Sequence, residues 1–74
     1  MSKFPIIKSK ELEKILLKIG FEKIRQKGSH GFYKHLDGRY TTIPHHPSKD
    51  LSPSLLIKIL KEIQIEKEEF LNLL

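Results

Sequence analysis

Apolar residues recur at helical spacing in two stretches of the chain. The first stretch follows the spacing i, i+3, i+4, i+7 and consists of Leu12, Ile15, Leu16 and Ile19. This spacing is typical of a helix with one buried face. Ser9 before the stretch and Gly20 after it are residue types favoured at helix N- and C-termini, so the pattern predicts a helix over about residues 10–19.

The second helical stretch lies in the last third of the chain and consists of Leu56, Ile59, Leu60 and Ile63. Ser52-Pro53 precedes it, which is the order expected of an N-cap followed by proline at the first helical position. We therefore predict a helix over about residues 53–63. The tail, EKEEFLNLL, predicts a third short helix that packs Phe70 and either Leu71 or Leu74 onto the rest of the fold.

Three short segments with strand character lie between the two helices, at residues 21–26, 31–36 and 39–43. Asp37-Gly38, between the second and third segments, is the signal of a two-residue hairpin turn. The order α-β-β-β-α predicts an α+β fold, in which a three-stranded antiparallel sheet has both long helices on one face. We expect residues 1–74 to form a single domain, as this length indicates.

The hairpin turn predicts a strand register. With Asp37 and Gly38 as the loop, the opposed pairs are Leu36–Arg39, His35–Tyr40, Lys34–Thr41, Tyr33–Thr42 and Phe32–Ile43. This register places Phe32 and Ile43 together on the buried face, as expected of a core pair.

The same register brings histidines together at the open end of the hairpin. His30 is predicted to lie opposite His45, beside the Gly28-Ser29 turn. His35 lies on the other face from His30, because side chains alternate along a strand. We therefore predict that His35 is not part of this cluster.

Basic side chains are concentrated in the N-terminal two thirds of the chain. Residues 1–49 contain eleven Lys and Arg against four Asp and Glu, whereas residues 50–74 contain three against five. A one-sided positive field attracts polyanions such as nucleic acids, although a solvated lysine-rich surface has the same composition. The candidate nucleic-acid contacts are Arg25, Lys27, Lys34 and Arg39.

The composition also excludes several classes of protein. The chain contains no cysteine, so it has neither a disulfide nor a thiolate zinc site. The N-terminus, MSKFPIIKSK, lacks the apolar run of a signal peptide, and no segment approaches the roughly 20 apolar residues of a membrane span. We therefore expect a cytoplasmic protein that does not contact membranes.

The histidines admit three interpretations. His30 with His45 or His46 could bind a divalent metal, but only Asp37 and Asp50 are nearby to complete the ligand set. Alternatively, the histidines are ordinary loop residues. In the third interpretation, His30 is a general acid or base acting on a phosphodiester, because imidazole exchanges protons near neutral pH without a metal.

The residues around this histidine suit the third interpretation. Gly28 allows the backbone to approach a ligand closely, and Ser29 could donate a hydrogen bond to a phosphate. Lys27, Lys34 and Arg39 could balance the charge of a phosphoryl transition state. Such a mechanism needs no metal or other cofactor.

Several short motifs occur in an order and spacing that resemble the HicA family of bacterial and archaeal toxins. They are Gly20-Phe21, Lys27-Gly28-Ser29-His30, Asp37-Gly38-Arg39 and Thr41-Thr42-Ile43-Pro44-His45-His46-Pro47. The likeness extends over about residues 5–72. It implies a fold like that of double-stranded-RNA-binding domains (dsRBD-like), ribosome-independent cleavage of mRNA, and neutralisation by a cognate HicB antitoxin.

The resemblance also implies roles for individual residues. The catalytic histidine of the family corresponds to His30, and the second histidine of its motifs corresponds to His46. Gly28, Ser29 and His45 are in supporting positions. The hairpin register instead favours His45 as the neighbour of His30.

The leading hypothesis is therefore a toxin that acts as a metal-independent endoribonuclease, or mRNA interferase. Its expected partners are mRNA and a HicB-type antitoxin that covers the His30 face, with no DNA binding by this chain alone. The alternatives are a non-catalytic RNA-binding module and a protein-interaction domain whose basic face binds an acidic partner. An acid-base histidine favours the enzyme, because phosphate contacts alone require only lysine or arginine.

Overall fold

The chain folds in the order helix, three strands, two helices, which confirms the predicted α+β arrangement. The computed structural model describes residues 4–74; Met1–Lys3, the start of the segment interpreted as lacking a signal peptide, lie outside the described residues. The elements are α1 (Ser9–Lys18), β1 (Phe21–Lys27), β2 (His30–His35), β3 (Tyr40–Pro44), α2 (Pro53–Glu62) and α3 (Lys67–Leu73). The strands form one antiparallel sheet in the order β1-β2-β3.

The predicted apolar stripes of α1 and α2 form the core between the helices and one face of the sheet. Their most buried members are Leu12, Ile15, Leu16, Leu56, Ile59, Leu60 and Ile63. The hydroxyl of Ser52 accepts a hydrogen bond from the amide of Leu55 at 3.2 Å, as predicted for the α2 N-cap. Phe70 of α3 is fully buried, whereas Leu74 is exposed. None of the helices within residues 4–74 is both long and apolar enough to cross a membrane.

Helix α1 begins one residue earlier than predicted, with Lys8 rather than Ser9 as its N-cap. The amide of Lys8 donates to the carboxylate of Glu11 at 3.1 Å, which completes the cap from within the first turn. Residues before the helix also pair with the segment before α2, since the amide of Leu51 donates to the carbonyl of Ile7 at 2.9 Å. This pairing fixes the start of α1. Ser9 is therefore a buried residue of the first helical turn rather than its N-cap.

The predicted hairpin register is wrong by one residue, because the loop between β2 and β3 contains three residues rather than two. The observed pairs are His30–Pro44, Gly31–Ile43, Phe32–Thr42, Tyr33–Thr41 and Lys34–Tyr40. His35 and Arg39 flank the loop, with the amide of His35 donating to the carbonyl of Arg39 at 2.8 Å. Gly38 adopts a φ of 99°, as expected of the left-handed residue that ends a three-residue hairpin loop.

Because of this one-residue shift, the two aromatic residues of β2 occupy the opposite faces of the sheet from those predicted. Tyr33, not Phe32, is the fully buried aromatic residue. Ile43 is buried as predicted, but it lies opposite Gly31. Phe32 lies on the other face of the sheet, where its ring is only partly covered.

Candidate functional site

The sheet has one face covered by α1 and α2 and one face that no helix covers in the described part of the chain. We call the second the open face. Cross-strand partners share a face, so the open face consists of three rows: Lys27–His30–Pro44, Arg25–Phe32–Thr42 and Glu22–Lys34–Tyr40. Eight of these nine residues are neutral or basic, and Glu22 is the exception.

A bulge in β1 places the basic residues on this face. The pairing with β2 shifts between Lys23 and Arg25, which leaves Ile24 without a cross-strand partner. In a regular strand Lys23 and Arg25 would share a face, since side chains alternate. The extra residue reverses the alternation, so Lys23 contacts α1 through Glu13 at 3.5 Å, whereas Arg25 lies on the open face.

His30 begins β2 on the open face, directly after the turn formed by Gly28 and Ser29. The φ of Gly28 is 59°, a positive value that glycine adopts readily and that the first position of a tight two-residue hairpin turn requires. The imidazole of His30 is exposed. Across residues 4–74 we find no hydrogen bond, ion pair or ring contact that involves it. Its ring is therefore available to a ligand.

Three of the four predicted nucleic-acid contacts share the open face with this histidine. Lys27 is the cross-strand neighbour of His30 in β1. Arg25 lies over the ring of Phe32, with its guanidinium carbon 4.7 Å from the ring centroid. Lys34 is exposed on the same face, two residues beyond Phe32. The face therefore carries three basic side chains together with an unpartnered imidazole.

The fourth predicted contact, Arg39, is not on this face. Its guanidinium donates to the carbonyl of Ile63 at 2.6 Å and to the carboxylate of Asp37 at 2.8 Å. It also lies over the ring of Phe21, 5.2 Å from the centroid. The one-residue register shift places Arg39 opposite His35 on the covered face. There its guanidinium joins the hairpin loop, through Asp37, to the end of α2, through Ile63.

His45 lies on the covered face and is therefore not the neighbour of His30. Its Nε2 atom is 2.8 Å from the hydroxyl of Tyr33, which is in turn hydrogen-bonded to the carboxylate of Glu13 on α1. A side chain at Gly31 would clash with this ring, since a Cβ there would be 2.9 Å from Nε2. The glycine between His30 and Phe32 therefore makes room for His45 on the side of the strand away from His30.

The protonation of this cluster follows from its pKa shifts. The hydrogen bond from Tyr33 lowers the pKa of the Glu13 carboxyl, and nearby Lys23 adds to the effect against the opposing cost of burial. Burial, followed by the contact with Glu13, raises the pKa of the Tyr33 hydroxyl. Burial also lowers the pKa of His45. Since Tyr33 gives its only proton to an ionised Glu13, its oxygen accepts a hydrogen bond from Nε2–H of a neutral His45.

The other two histidines differ in their surroundings. His35 lies on the other face from His30, as predicted, and there its ring packs edge-on against Phe21 at 5.1 Å and its Nδ1 atom is 3.2 Å from Asp37. His46 is exposed just after β3, and no hydrogen bond to its imidazole occurs within the described chain. Residues 4–74 contain no cluster of three or more potential metal-binding side chains.

Sequence reasoning missed Glu13, Tyr33 and the role of the β1 bulge. Glu13 lies one position after Leu12 of the apolar stripe, at the edge of the buried face of α1. A partly buried carboxylate in that position indicates that a hydrogen-bond donor lies next to it in the fold, because buried polar groups require partners. The bulge has no sequence signal that we can identify.

A comparison with protein families gives a match to the model described as HicA toxin of bacterial toxin-antitoxin systems, over residues 9–65. The chain belongs to the HicA toxin family. The matched range contains α1, the whole sheet and α2, and ends before α3. A search of curated proteins gave no match. Membership of the HicA family associates the chain with toxin–antitoxin systems.

Proposed function

We propose that this HicA toxin is a metal-independent endoribonuclease that cleaves mRNA, with His30 as its general acid or base. The observation that supports the proposal is the state of that imidazole: it is exposed and unpartnered within residues 4–74, on a face lined by Arg25, Lys27 and Lys34. His35 and His45, by contrast, are engaged in contacts within the fold.

The chemistry requires two proton transfers at the scissile phosphodiester. The ribose 2′-hydroxyl loses a proton as its oxygen forms a bond to phosphorus, and the 5′-oxygen that leaves gains a proton as its bond to phosphorus breaks. His30 can perform either transfer, with water or the exposed His46 as the second group. Lys27 and Arg25 are placed to stabilise the negative charge on the non-bridging oxygens.

The absence of metal in this mechanism is part of the proposal, and an activity assay tests it. Purified protein is incubated with a long single-stranded RNA in the presence and absence of EDTA. Equal rates of cleavage are expected, since an imidazole supplies the proton transfers directly. Loss of cleavage in EDTA that zinc or manganese restores would contradict metal independence, and RNA binding without cleavage would favour the non-catalytic RNA-binding module.

The binding surface is tested by charge reversal on two faces. Replacing Lys27 or Lys34 by Glu on the open face should weaken RNA binding more than replacing Lys58 or Lys61 on α2. The logarithm of affinity should also fall linearly with the logarithm of salt concentration, with a slope that decreases by about 0.7 for each lost contact to single-stranded phosphate. Equal losses on both faces in a filter-binding titration would contradict the assignment.

The partner is proposed to be a HicB-type antitoxin that inhibits by covering the open face around His30. Both mRNA and such an antitoxin would be encountered in the cytoplasm, which we propose as the site of action. Hydrogen exchange with and without the antitoxin should show protection at residues 28–30. Protection confined to Lys67–Leu73 would contradict inhibition by occlusion of the site.

A further inference from the structure

The open face contains two aromatic side chains that cleavage by His30 does not use. Tyr40, at the start of β3, is 66% exposed, and within residues 4–74 its ring makes no hydrogen bond or ring contact. Phe32 is partly exposed beneath the guanidinium of Arg25. Exposed rings on a basic sheet face require an explanation, because phosphate contacts need only the lysines and arginines.

The register places these rings on a path that leads to His30. Phe32 and Tyr40 are diagonal neighbours on adjacent strands, since Tyr40 pairs with Lys34 two residues beyond Phe32; such neighbours lie about 7–8 Å apart. His30 is two residues from Phe32 on the same face of β2, a further distance of about 7 Å. The two rings are thus spaced along a path that crosses from β3 to β2 and ends at the proposed catalytic group.

A depression of about 610 Å³ lies around the two rings. Its lining residues are Ile24, Arg25, Phe32, Lys34, Gly38 and Tyr40. Aromatic rings and an apolar bulge residue form the surface, with two cations beside them. This combination of stacking surfaces and phosphate-binding charges is characteristic of sites for unpaired nucleotides.

We infer that the open face binds single-stranded RNA by base stacking, with one base on the Arg25–Phe32 pair and another on Tyr40, and that this strand delivers its phosphodiester to His30. This inference rests on the proposed function and identifies the form of RNA that the site accepts. A duplex does not suit the face, because its bases are already stacked on one another and recognition of paired RNA uses phosphates and 2′-hydroxyls. Stacking is tolerant of sequence, since every base has a flat aromatic surface.

Affinity measurements with uncleavable RNA separate this inference from the proposed catalysis. A short 2′-O-methyl oligonucleotide lacks the attacking hydroxyl, so it stays intact whichever residue catalyses cleavage. The affinity of the protein is measured for this oligonucleotide as a single strand and for the duplex that it forms with its complement. Phe32→Leu and Tyr40→Leu should each lower affinity for the single strand by about 5- to 150-fold, the effect of losing one stacked base. Affinity for the duplex should change little, and Tyr40→Phe, which keeps the ring, should bind the single strand as wild type does.

The chain offers a matched control in Phe4. Its ring is also partly buried and also lies beneath a cation, with the Lys67 ammonium 4.5 Å from its centroid, but it packs against the core away from the open face. Phe4→Leu should leave RNA affinity unchanged. The chain has no tryptophan, so Tyr40→Trp introduces a single tryptophan that can be excited selectively and whose emission should be quenched by the single strand.

Three results would overturn the inference. They are unchanged single-strand affinity in both Phe32→Leu and Tyr40→Leu, equal losses for single strand and duplex, and loss of antitoxin binding with RNA affinity intact. Because Tyr40 is exposed, Tyr40→Leu should remain folded, and a thermal melt confirms this. Cleavage that persists in His30→Ala would refute the proposed catalysis but would leave the stacking result intact.

Discussion

On the covered face of the sheet, His45 is held against Tyr33 and Glu13, and His35 is held against Phe21. On the open face, by contrast, the ring of His30 makes no hydrogen bond, ion pair or ring contact within residues 4–74. The same sheet provides both environments, so residue type alone does not distinguish a histidine held by the fold from one that is available to a ligand. The difference arises from which face each side chain occupies. An imidazole that is already satisfied by the fold is poorly placed to exchange protons with a substrate, and one that faces solvent beside cations is well placed to do so.

The aromatic residues of β2 show the same contrast. Tyr33 is fully buried with its hydroxyl in a polar network, and its neighbour Phe32 lies partly exposed beneath Arg25. Burial of a ring stabilises the fold, whereas a half-exposed ring contributes less to stability and offers a surface for binding. Packing on the covered face therefore stabilises the sheet, and the side chains of the open face remain free to bind a ligand.

The largest expected effect on stability comes from truncating these two rings. Tyr33→Ala should lower the free energy of unfolding by about 3–5 kcal/mol, as for other buried aromatic residues. Phe32→Ala should cost about 1 kcal/mol, as is common for partly exposed positions. Urea denaturation measures both, and Tyr33→Phe, which leaves Glu13 and His45 without the hydroxyl, should cost about 1–3 kcal/mol. Equal losses for Tyr33→Ala and Phe32→Ala would mean that the two faces do not differ as described.

Arg39 and Lys34 provide the next test, because both are cations of the hairpin but lie on different faces. Arg39→Ala removes the hydrogen bonds to Ile63 and Asp37 and should lower the free energy of unfolding by about 1.5–3 kcal/mol. Lys34→Ala should leave stability almost unchanged and weaken RNA binding instead. If Arg39→Ala weakened RNA binding as much as Lys34→Ala and left the domain as stable as wild type, we would conclude that Arg39 contacts RNA rather than stabilising the fold.

The smallest predicted effect is a pH dependence of stability that originates on the covered face. Burial lowers the pKa of His45 from its ordinary value of 6.5, so the unfolded chain takes up a proton at a higher pH than the folded chain does. The stabilising contribution of a neutral His45 should be fully present above about pH 6.5, and the free energy of unfolding should decrease as the pH falls from there towards the lower pKa that His45 has in the folded state. The pKa of Glu13 is also lowered in the folded state, so the free energy of unfolding should decrease further below the ordinary Glu value of 4.5.

Urea midpoints measured at pH 7 and at pH 5 test this dependence. His45→Gln should reduce the difference between the two midpoints, because glutamine does not titrate. A difference as large in His45→Gln as in wild type would show that His45 does not contribute to the acid sensitivity.

Much of the fold can be predicted from the sequence, because helix spacing and caps are local signals. The stripes of α1 and α2, the Ser52 cap, the strand order and the separation of His35 from His30 all follow from such patterns. The hairpin register does not. A sequence such as Asp-Gly suits both a two-residue turn and a three-residue loop that ends in a left-handed glycine, and Phe32 and Tyr33 are both plausible core residues.

The site was predicted less completely, because its parts depend on non-local geometry. The family resemblance is the basis for assigning catalysis to His30, and that role remains a proposal. The positions of Arg39 and His45 depend on the one-residue register shift, and the positions of Arg25 and Lys27 depend on the β1 bulge. Neither feature has a local sequence signal that separates it from a regular strand.

The most direct test of the account compares two histidines on opposite faces. Single-turnover cleavage of a long single-stranded RNA is measured for wild type, His30→Ala and His35→Ala, after thermal melts and RNA-binding titrations have established that each variant is folded and binds. We expect His30→Ala to retain RNA binding and cleave about 10²- to 10⁴-fold more slowly, the usual cost of removing a general acid-base group, and His35→Ala to keep most of its activity. Cleavage by His30→Ala at the wild-type rate would contradict the central claim that the open-face imidazole carries out the chemistry.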